Sequence, residues 1–145
     1  MGMYSRQCQC RARNNDETMK ARLVYLAGPI FGKTDDECRG WRQDVRSQLH
    51  AKNIQSVNPI NHDYRGQELK YCDRIVHQDK GWIMSVDTVL AYCDEPSFGT
   101  AMEVLFAWEQ RKQIVAVSTH GSPWLHYHAT VVCKSLKEAV ELLHA

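Results

Sequence analysis

Hydrophobic positions along the chain alternate between short continuous runs and longer stretches with a period of three to four residues. Short apolar runs bounded by turn residues are typical of buried strands, and a period near 3.6 residues is typical of amphipathic helices. The runs predict five strands: "RLVYLAG", "IQSVNPI", "DTVLAYC", "QIVAVS" and "ATVVC". The periodic stretches predict four helices, over residues 35–52, 68–85, 100–112 and 135–145.

Strands and helices alternate from residue 22 to residue 145, which favours parallel strand pairing. Parallel pairs need long right-handed crossovers, so helices cover both faces of the sheet. The pattern therefore predicts an α/β fold, a three-layer sandwich with a five-stranded parallel sheet in the flavodoxin-like order 2-1-3-4-5. In that order the ligand site lies beyond the carboxyl ends of the strands, at the switch point between strands 1 and 3. The loops expected there are "GPIFGK", "NPINHDY" and "DEPSFG".

The size and charge of the chain narrow the function. Its 145 residues suit a single domain, predicted over 22–145, after a flexible N-terminal tail over 1–21 that lacks the apolar core of a signal peptide. Eighteen basic and seventeen acidic residues leave no strong field for nucleic acid or an anionic membrane. The chain contains no uninterrupted apolar stretch of ~18 residues, the length that would predict a membrane span. We therefore expect a small-molecule partner.

Six cysteines at scattered spacings predict reduced thiols in a cytoplasmic protein rather than a disulfide framework. Cys8 and Cys10 lack the two-residue spacer usual in zinc sites, and no matching Cys/His pair follows. We expect no metal.

The second predicted helix carries a carboxylate on its apolar stripe. Its inward face is expected to comprise Leu69, Cys72, Ile75, Val76, Trp82 and Ile83, and Asp79 falls on the same face. An ionised carboxylate buried without partners costs several kcal/mol. Asp79 therefore needs a salt bridge, a capping role or a reaction, and the sequence leaves these alternatives open.

Glu103 raises the same question in the segment "PSFGTAME". The turn residues and the amides of the following helix start favour an anion, and Ser97 can add a hydroxyl donor beside Gly99. One interpretation is a capping box formed by Thr100 and Glu103. The other is a nucleophile that the helix dipole keeps ionised. If the second and third helices flank strand 3, Asp79 and Glu103 converge as a carboxylate pair suited to glycosidic bond chemistry.

Other polar and loop residues each have more than one interpretation. Tyr25 orients the nucleophile or belongs to the core. Gly28 and Pro29, followed by Ile30, let the backbone approach a ligand or merely turn the chain. Asn58 and Asp63 bind a base or sugar, or shape their loop. The loop "HGSPWLHYHAT", which includes Trp124, His126, Tyr127 and His128, forms a ligand wall, a subunit contact or packing against the neighbouring helix.

Four stretches together resemble the nucleoside 2-deoxyribosyltransferase superfamily, including its 2′-deoxynucleoside 5′-phosphate N-hydrolase branch. They are "VYLAGPIFG", "VNPI", "QDKGWIMSVDTVLA" and "PSFGTAMEVLFAWEQRKQIVAV". The resemblance implies a flavodoxin-like fold, no cofactor, and a covalent glycosyl-enzyme on Glu103, assisted by Asp79 and Tyr25. Ser97 resembles the phosphate-holding serine of the hydrolase branch.

The resemblance also implies a homodimer or higher homo-oligomer in which a neighbouring subunit completes the site, and Ser122 and His126 are the residues that can supply this contribution. We therefore predict cleavage of the N-glycosidic bond of a (2′-deoxy)nucleoside or its 5′-monophosphate, with the sugar passed to water or to another base. The alternative is a noncatalytic nucleotide- or phosphate-binding module of the same fold.

Overall fold

Seven strands occur in the computed structural model, which describes residues 18–145. They are β1 (Met19–Lys20), β2 (Leu23–Ala27), β3 (Gln55–Val57), β4 (Thr88–Tyr92), β5 (Gln113–Val117), β6 (Val131–Cys133) and β7 (Leu143–His144). Strands β2 to β6 form one parallel sheet in the order β3-β2-β4-β5-β6. Counted among these five strands, the order is 2-1-3-4-5, so the predicted fold and strand order are confirmed.

Five α-helices and one short 3-10 turn connect the strands. The helices are α1 (Asp35–Ala51), α2 (Cys72–Ser85), α3 (Phe98–Glu109), α4 (Pro123–His128) and α5 (Leu136–Leu142), and the 3-10 turn spans Pro59–Asn61. Among the described helices, none combines the length and the apolar character needed to cross a lipid bilayer.

The alternation of side chains along β2 divides the core into two layers. Val24 and Leu26 point to the layer that also contains Val45 and Leu49 of α1. Tyr25 and Ala27 point to the opposite layer, where residues of α2 and α3 are buried against β4 and β5. This alternation places the hydroxyl-bearing Tyr25 on the same face of the sheet as Asp79 and Glu103.

Residues 19–21 depart from the predicted flexible tail. β1 pairs in parallel with β7 as a separate two-stranded sheet, and Met19 and Ala21 are buried. The apolar pattern of residues 19–21 is too short to predict a strand, because its partner lies at the other end of the chain. Residues 1–17, including Cys8 and Cys10, lie outside the described residues.

Helix α2 starts later than the pattern indicates. Residues 64–71 form hydrogen-bonded turns, with Gly66 at a φ of 84°, and Leu69 is 92% exposed. Val76 and Trp82 are also exposed, and Ile83 is the buried residue of the helix. The predicted inward face was therefore wrong for most of its members, since α2 lies at the edge of its layer and contacts α3 on one side.

Candidate active site

Ser97, not Thr100, caps helix α3. The Ser97 hydroxyl accepts a hydrogen bond from the Thr100 amide at 3.3 Å, and Thr100 lies buried inside the first turn. Gly99 is a helical residue exposed to solvent. The capping box was therefore wrong: the helix starts two residues early, at Phe98, which moves Glu103 into the second turn. Glu103 is left without a capping role.

Asp79 from α2, Glu103 from α3 and Tyr25 from β2 meet between the helices and the sheet. The charge of Asp79 acts on Glu103, and the Tyr25 hydroxyl lies close enough to influence both carboxyls. Asp79 and Glu103, the carboxyl pair, form no ion pair among the described residues. A salt bridge therefore does not account for Asp79 within residues 18–145.

Two atoms at this meeting point are buried without a hydrogen-bond partner in the described part of the chain: the Tyr25 hydroxyl and Oε2 of Glu103. An unsatisfied buried polar group costs about 1–3 kcal/mol. Native proteins keep few such groups, and each one needs a functional or structural reason. Folding alone does not explain why these two atoms are left unsatisfied.

Burial dominates the protonation of the carboxyl pair. It raises the pKa of Glu103 to about 8, and the charge of Asp79 adds to this rise, while Tyr25 and Arg42 oppose it. Burial raises the pKa of Asp79 to about 6, opposed by Tyr25, Arg42 and His62. Interacting carboxyls titrate as a unit, so near neutral pH the pair shares about one proton. Desolvation therefore works against the helix dipole, which was expected to keep Glu103 ionised.

Tyr25 remains a proton donor at every working pH. Burial, followed by the neighbouring Glu103 and Asp79, raises the pKa of its phenol far above the ordinary value. A phenol that keeps its proton can donate to a carboxylate or to a sugar oxygen.

Arg42 was missed by the analysis of the sequence. It is fully buried, and its guanidinium donates to the carbonyls of Leu26 (3.3 Å), Cys38 (2.7 Å) and Gly28 (2.9 Å). Its charge lowers the pKa of both members of the carboxyl pair. The sequence does indicate that Arg42 is buried, because it lies four residues after Cys38 and three before Val45, on the apolar stripe of α1.

Gly28 lies close to two side chains of α1 rather than beside open space. A Cβ added there would lie 2.6 Å from Cζ2 of Trp41 and 3.3 Å from Nη2 of Arg42. Pro29 lines a cavity of about 370 Å³ with Lys33, Trp41 and Tyr92 among its walls. Ile30 follows, half-buried, and its carbonyl accepts from the Lys33 amide at 3.1 Å.

Asn58 and Asp63 make the hydrogen bonds of their own loop. Asn58 caps the 3-10 turn by accepting from the Ile60 amide at 3.2 Å. Asp63 accepts from Arg65 through side chain and backbone, and Arg65 also reaches Asp35 of α1. These contacts account for both residues as loop-shaping groups, and their role in substrate binding stays a prediction.

A second, larger cavity of about 490 Å³ lies between α3 and the loop and helix that follow β5. Its walls are mostly apolar, and its polar lining includes Ser97, Ser122 and His120. Ser122 caps α4, with its hydroxyl accepting from the Leu125 amide at 3.4 Å. His126 is exposed and is not part of this wall. Neither described cavity is lined by the carboxyl pair.

Cys93 connects the larger cavity with the carboxyl pair. It lines the cavity, and burial together with the charge of Glu103 raises the pKa of its thiol to about 12. The cavity and the pair are therefore adjacent regions. The described residues contain no group of three His, Cys, Asp or Glu arranged to hold a metal ion.

The segment after β5 contains a helix that the apolar pattern did not predict. Trp124 stacks on His128 with ring centroids 5.8 Å apart, and Trp108 of α3 contacts Tyr127 at 5.9 Å. The predicted packing against a neighbouring helix is present, although Trp124 is 76% exposed. The serine and proline at 122–123 were the available helix-start signal.

Residues 24–139 match the model of a family described as "Nucleoside 2-deoxyribosyltransferase". The chain belongs to this family. The matched range contains the five strands of the central sheet except Leu23, the first residue of β2, and all three residues of the meeting point. The resemblance inferred from the sequence is thereby confirmed.

Solved structures agree on the fold. The CMP N-glycosidase BcmB of Clostridium botulinum is 18% identical, with a TM-score of 0.55 over 83% of this chain and 96% of that one. A 2-deoxyribosyltransferase of Bacillus psychrosaccharolyticus is 13% identical, with a TM-score of 0.65 over 81% and 90%. The Leishmania mexicana 2-deoxyribosyltransferase is 22% identical, with a TM-score of 0.57 over 79% and 76%. No curated protein sequence matches the chain.

Proposed function

We propose that this member of the nucleoside 2-deoxyribosyltransferase family cleaves the N-glycosidic bond of a 2′-deoxynucleoside or its 5′-monophosphate through a covalent intermediate on Glu103. The supporting observation is a pair of desolvated carboxyls with raised pKa values, in which Oε2 of Glu103 and the nearby Tyr25 hydroxyl are buried and unsatisfied. Perturbed, interacting carboxyls are a frequent property of catalytic sites. The family match supports the chemistry independently.

The shared proton suits the first step. In the reactive arrangement Asp79 carries the proton and Glu103 is ionised. The Glu103 carboxylate attacks the anomeric carbon, the carbon–nitrogen bond breaks with its electron pair passing to the base, and Asp79 gives its proton to that base. Once the substrate is bound, the Tyr25 hydroxyl donates to the Glu103 carboxylate and holds its orientation.

The second step reverses these roles. Water, or a second base, attacks the anomeric carbon, and the bond to Glu103 breaks so that its carboxylate is restored. The proton of the attacking water or base returns to Asp79. A substrate without a 2′-hydroxyl eases the positive charge that develops on the sugar, which favours deoxy substrates.

The larger cavity is proposed to hold the 5′ end of the substrate. Ser97 lies at the start of α3, where the helix amides and dipole favour an anion. Ser122 contributes to the same wall, and a phosphate there would link the two serines. His126 and Trp124 are exposed, with Trp124 at the wall of the cavity, and both are proposed to contact a second copy of the chain in a homodimer or larger homo-oligomer.

A product assay with three variants tests the proposal. Wild-type protein is incubated with a panel of nucleosides and 5′-monophosphates, with and without an acceptor base, and free base is measured by chromatography. We expect base release, and with a slowly turned-over substrate an intact mass raised by one deoxyribosyl group. Glu103→Ala and Glu103→Gln should lower kcat by about 10⁴-fold or more and lose the adduct.

Glu109→Gln is the matched control, because Glu109 is an exposed carboxylate on the same helix. It should retain wild-type turnover. Normal activity in Glu103→Ala would refute the covalent role. A ligand that raises the melting temperature of the wild type without any base release would instead support a noncatalytic binding module.

A further inference from the structure

A buried arginine without a carboxylate partner requires an explanation. Arg42 is fully buried, and no ion pair to it is found among the described residues. Removing a guanidinium from water costs several kcal/mol unless its donors are satisfied. Three backbone carbonyls satisfy them, yet an apolar residue at this position of α1 would avoid the cost entirely.

Two of the three carbonyls lie at the carboxyl end of strand β2. Leu26 is in β2 and Gly28 follows the strand, so Arg42 ties helix α1 to the loop at the switch point of the sheet. The guanidinium lies 4.5 Å from the centre of the Trp41 ring, which in turn contacts Tyr92 at the end of β4. Arg42 therefore joins the ends of the two strands that border the site.

Arg42 is also a positive charge that acts on both Asp79 and Glu103. The titratable groups acting on it are Cys38 of its own helix, Tyr25 of β2, Asp79 of α2 and Glu103 of α3. The carboxyl pair is further influenced by His62, through Asp79, and its charge reaches Cys93. Of the groups that oppose the rise of both carboxyl pKa values, Arg42 alone carries a permanent positive charge.

We propose that Arg42 is a positioning residue with two roles: it anchors the loop after β2, and it supplies the buried positive charge that offsets the carboxyl pair. This inference rests on the proposed function for its kinetic consequences. Through the first role it fixes the backbone around Gly28 beside the site. The second role stands on the same geometry: the guanidinium is fully buried against the Leu26 and Gly28 carbonyls, directly after Tyr25 in the chain, where its charge favours the ionised form of the carboxyl pair.

Three variants separate the two roles. Arg42→Met removes both charge and donors, Arg42→Lys keeps the charge but loses the forked donor geometry, and Arg46→Met removes an exposed arginine one turn along the same helix. The readout is kcat/KM for base release as a function of pH. An acid and a base in one site give a bell-shaped profile whose limbs report the titration of the pair.

For Arg42→Met we expect both limbs to move to higher pH by about one unit, the low end for a neighbouring charge that makes no direct ion pair. The lost positive charge no longer favours the ionised carboxyls, so the shift is upward. For Arg42→Lys the limbs should stay in place while kcat/KM falls about tenfold from the loosened loop. Arg46→Met should match the wild type in both respects.

A second measurement does not depend on activity. Carbon-13 NMR of glutamate-labelled protein follows the titration of Glu103, whose resonance is assigned by its loss in Glu103→Gln. The Arg42→Met variant should titrate at higher pH than the wild type. If the wild type releases no base, the proposed function fails, and this titration still decides the role of the Arg42 charge.

The overturning results are specific. A folded Arg42→Met with unmoved limbs and an unmoved Glu103 titration removes the electrostatic role, and wild-type kcat/KM in Arg42→Lys removes the anchoring role. If Arg42→Met does not fold, Arg42→Gln takes its place, because it keeps donors and loses the charge. Failure of both to fold, with Arg42→Lys equal to wild type throughout, would assign Arg42 to stability alone and overturn the proposal.

Discussion

Two regions beside helix α3 differ in whether their polar groups are hydrogen-bonded. In the larger cavity, the hydroxyls of Ser97 and Ser122 each accept from a backbone amide as helix caps. At the carboxyl pair, Oε2 of Glu103 and the Tyr25 hydroxyl are buried without partners within the described chain. Helix capping explains the polar groups of the cavity, whereas folding alone does not explain those of the pair.

This difference assigns different tasks to the two regions. Unsatisfied, desolvated groups are suited to reacting atoms, because their interactions are completed when the substrate arrives. A mostly apolar wall with satisfied hydroxyls is suited to holding the parts of a ligand that do not react. Because Cys93 lines the cavity and the charge of Glu103 acts on its thiol, we propose that one substrate extends from one region to the other. Four perturbations test this division, in order of decreasing expected effect.

After the Glu103 variants, Asp79→Asn should have the largest effect on turnover, lowering kcat by about 10³-fold, because the departing base loses its proton donor. Asp73→Asn, in the exposed first turn of the same helix, is the matched control and should leave turnover unchanged. Substrates with a base that leaves readily without protonation should be much less affected by Asp79→Asn. An equal defect for good and poor leaving bases would exclude the acid role.

The pH dependence of stability should reveal the pair without any substrate. Because burial raises the pKa of Glu103, the folded protein binds this proton more tightly than the unfolded chain does. Its contribution to stability is thus fully present below about pH 4 and is lost as pH rises towards 8. Glu103→Gln should remove roughly 2–4 kcal/mol of this decline.

The comparison is made as a difference between wild type and variant at each pH in urea denaturation. The pKa of Asp63 is lowered, mainly by its hydrogen bond to Arg65. Asp63 therefore stabilises the folded protein at higher pH, and this contribution is lost as pH falls. The subtraction cancels such contributions. Glu109→Gln should follow the wild-type curve, and parallel curves for Glu103→Gln and wild type would mean that Glu103 is not buried in solution.

The sequence was sufficient for the sheet but not for the chemistry of the site. Runs such as Leu23–Ala27 and Gln113–Val117 are apolar because strands buried on both faces need them, so strand number and order could be predicted. The convergence of Asp79 and Glu103 followed from the topology. Their protonation did not, because desolvation depends on packing between α2, α3 and the sheet.

Helix starts and the buried arginine show where local patterns were insufficient. The spacing of Thr100 and Glu103 fits a capping box. The N-cap is Ser97 instead, because Phe98 and Gly99 extend the helix towards the N-terminus. Leu69 fits the apolar period of α2 yet lies in turns. Arg42 occupies a core position that a hydropathy pattern treats as polar, and its three carbonyl partners lie far away in sequence or in the preceding turn.

Tyr25→Phe should affect activity and stability in opposite directions. Turnover should fall about tenfold, because in the substrate complex the Glu103 carboxylate loses the donor that we propose orients it. Stability should be unchanged or rise by up to about 1 kcal/mol, because the variant removes a buried hydroxyl that has no partner. Thermal denaturation and initial rates are the measurements. A clear loss of stability would mean that the hydroxyl is satisfied in the free protein.

Ser97→Ala should have the smallest effect and should act on the cavity side alone. The Ser97 oxygen accepts from both the amide and the hydroxyl of Thr100, which leaves its own proton available to an anion. We expect KM for a 5′-monophosphate to rise about fivefold, the worth of one hydrogen bond, with kcat and the KM for the nucleoside unchanged. Loss of the cap should also cost about 1 kcal/mol of stability.

Ser135→Ala separates the two consequences of Ser97→Ala. Ser135 caps α5 with a similar bond, accepting from the Glu138 amide at 3.1 Å, but lies outside both cavities. It should lose similar stability and keep wild-type KM values. If Ser97→Ala raised KM equally for nucleoside and monophosphate, the cavity would not distinguish a phosphate. If it lowered kcat as strongly as Tyr25→Phe, the cavity and the carboxyl pair would act as one catalytic unit, and the division between them would be wrong.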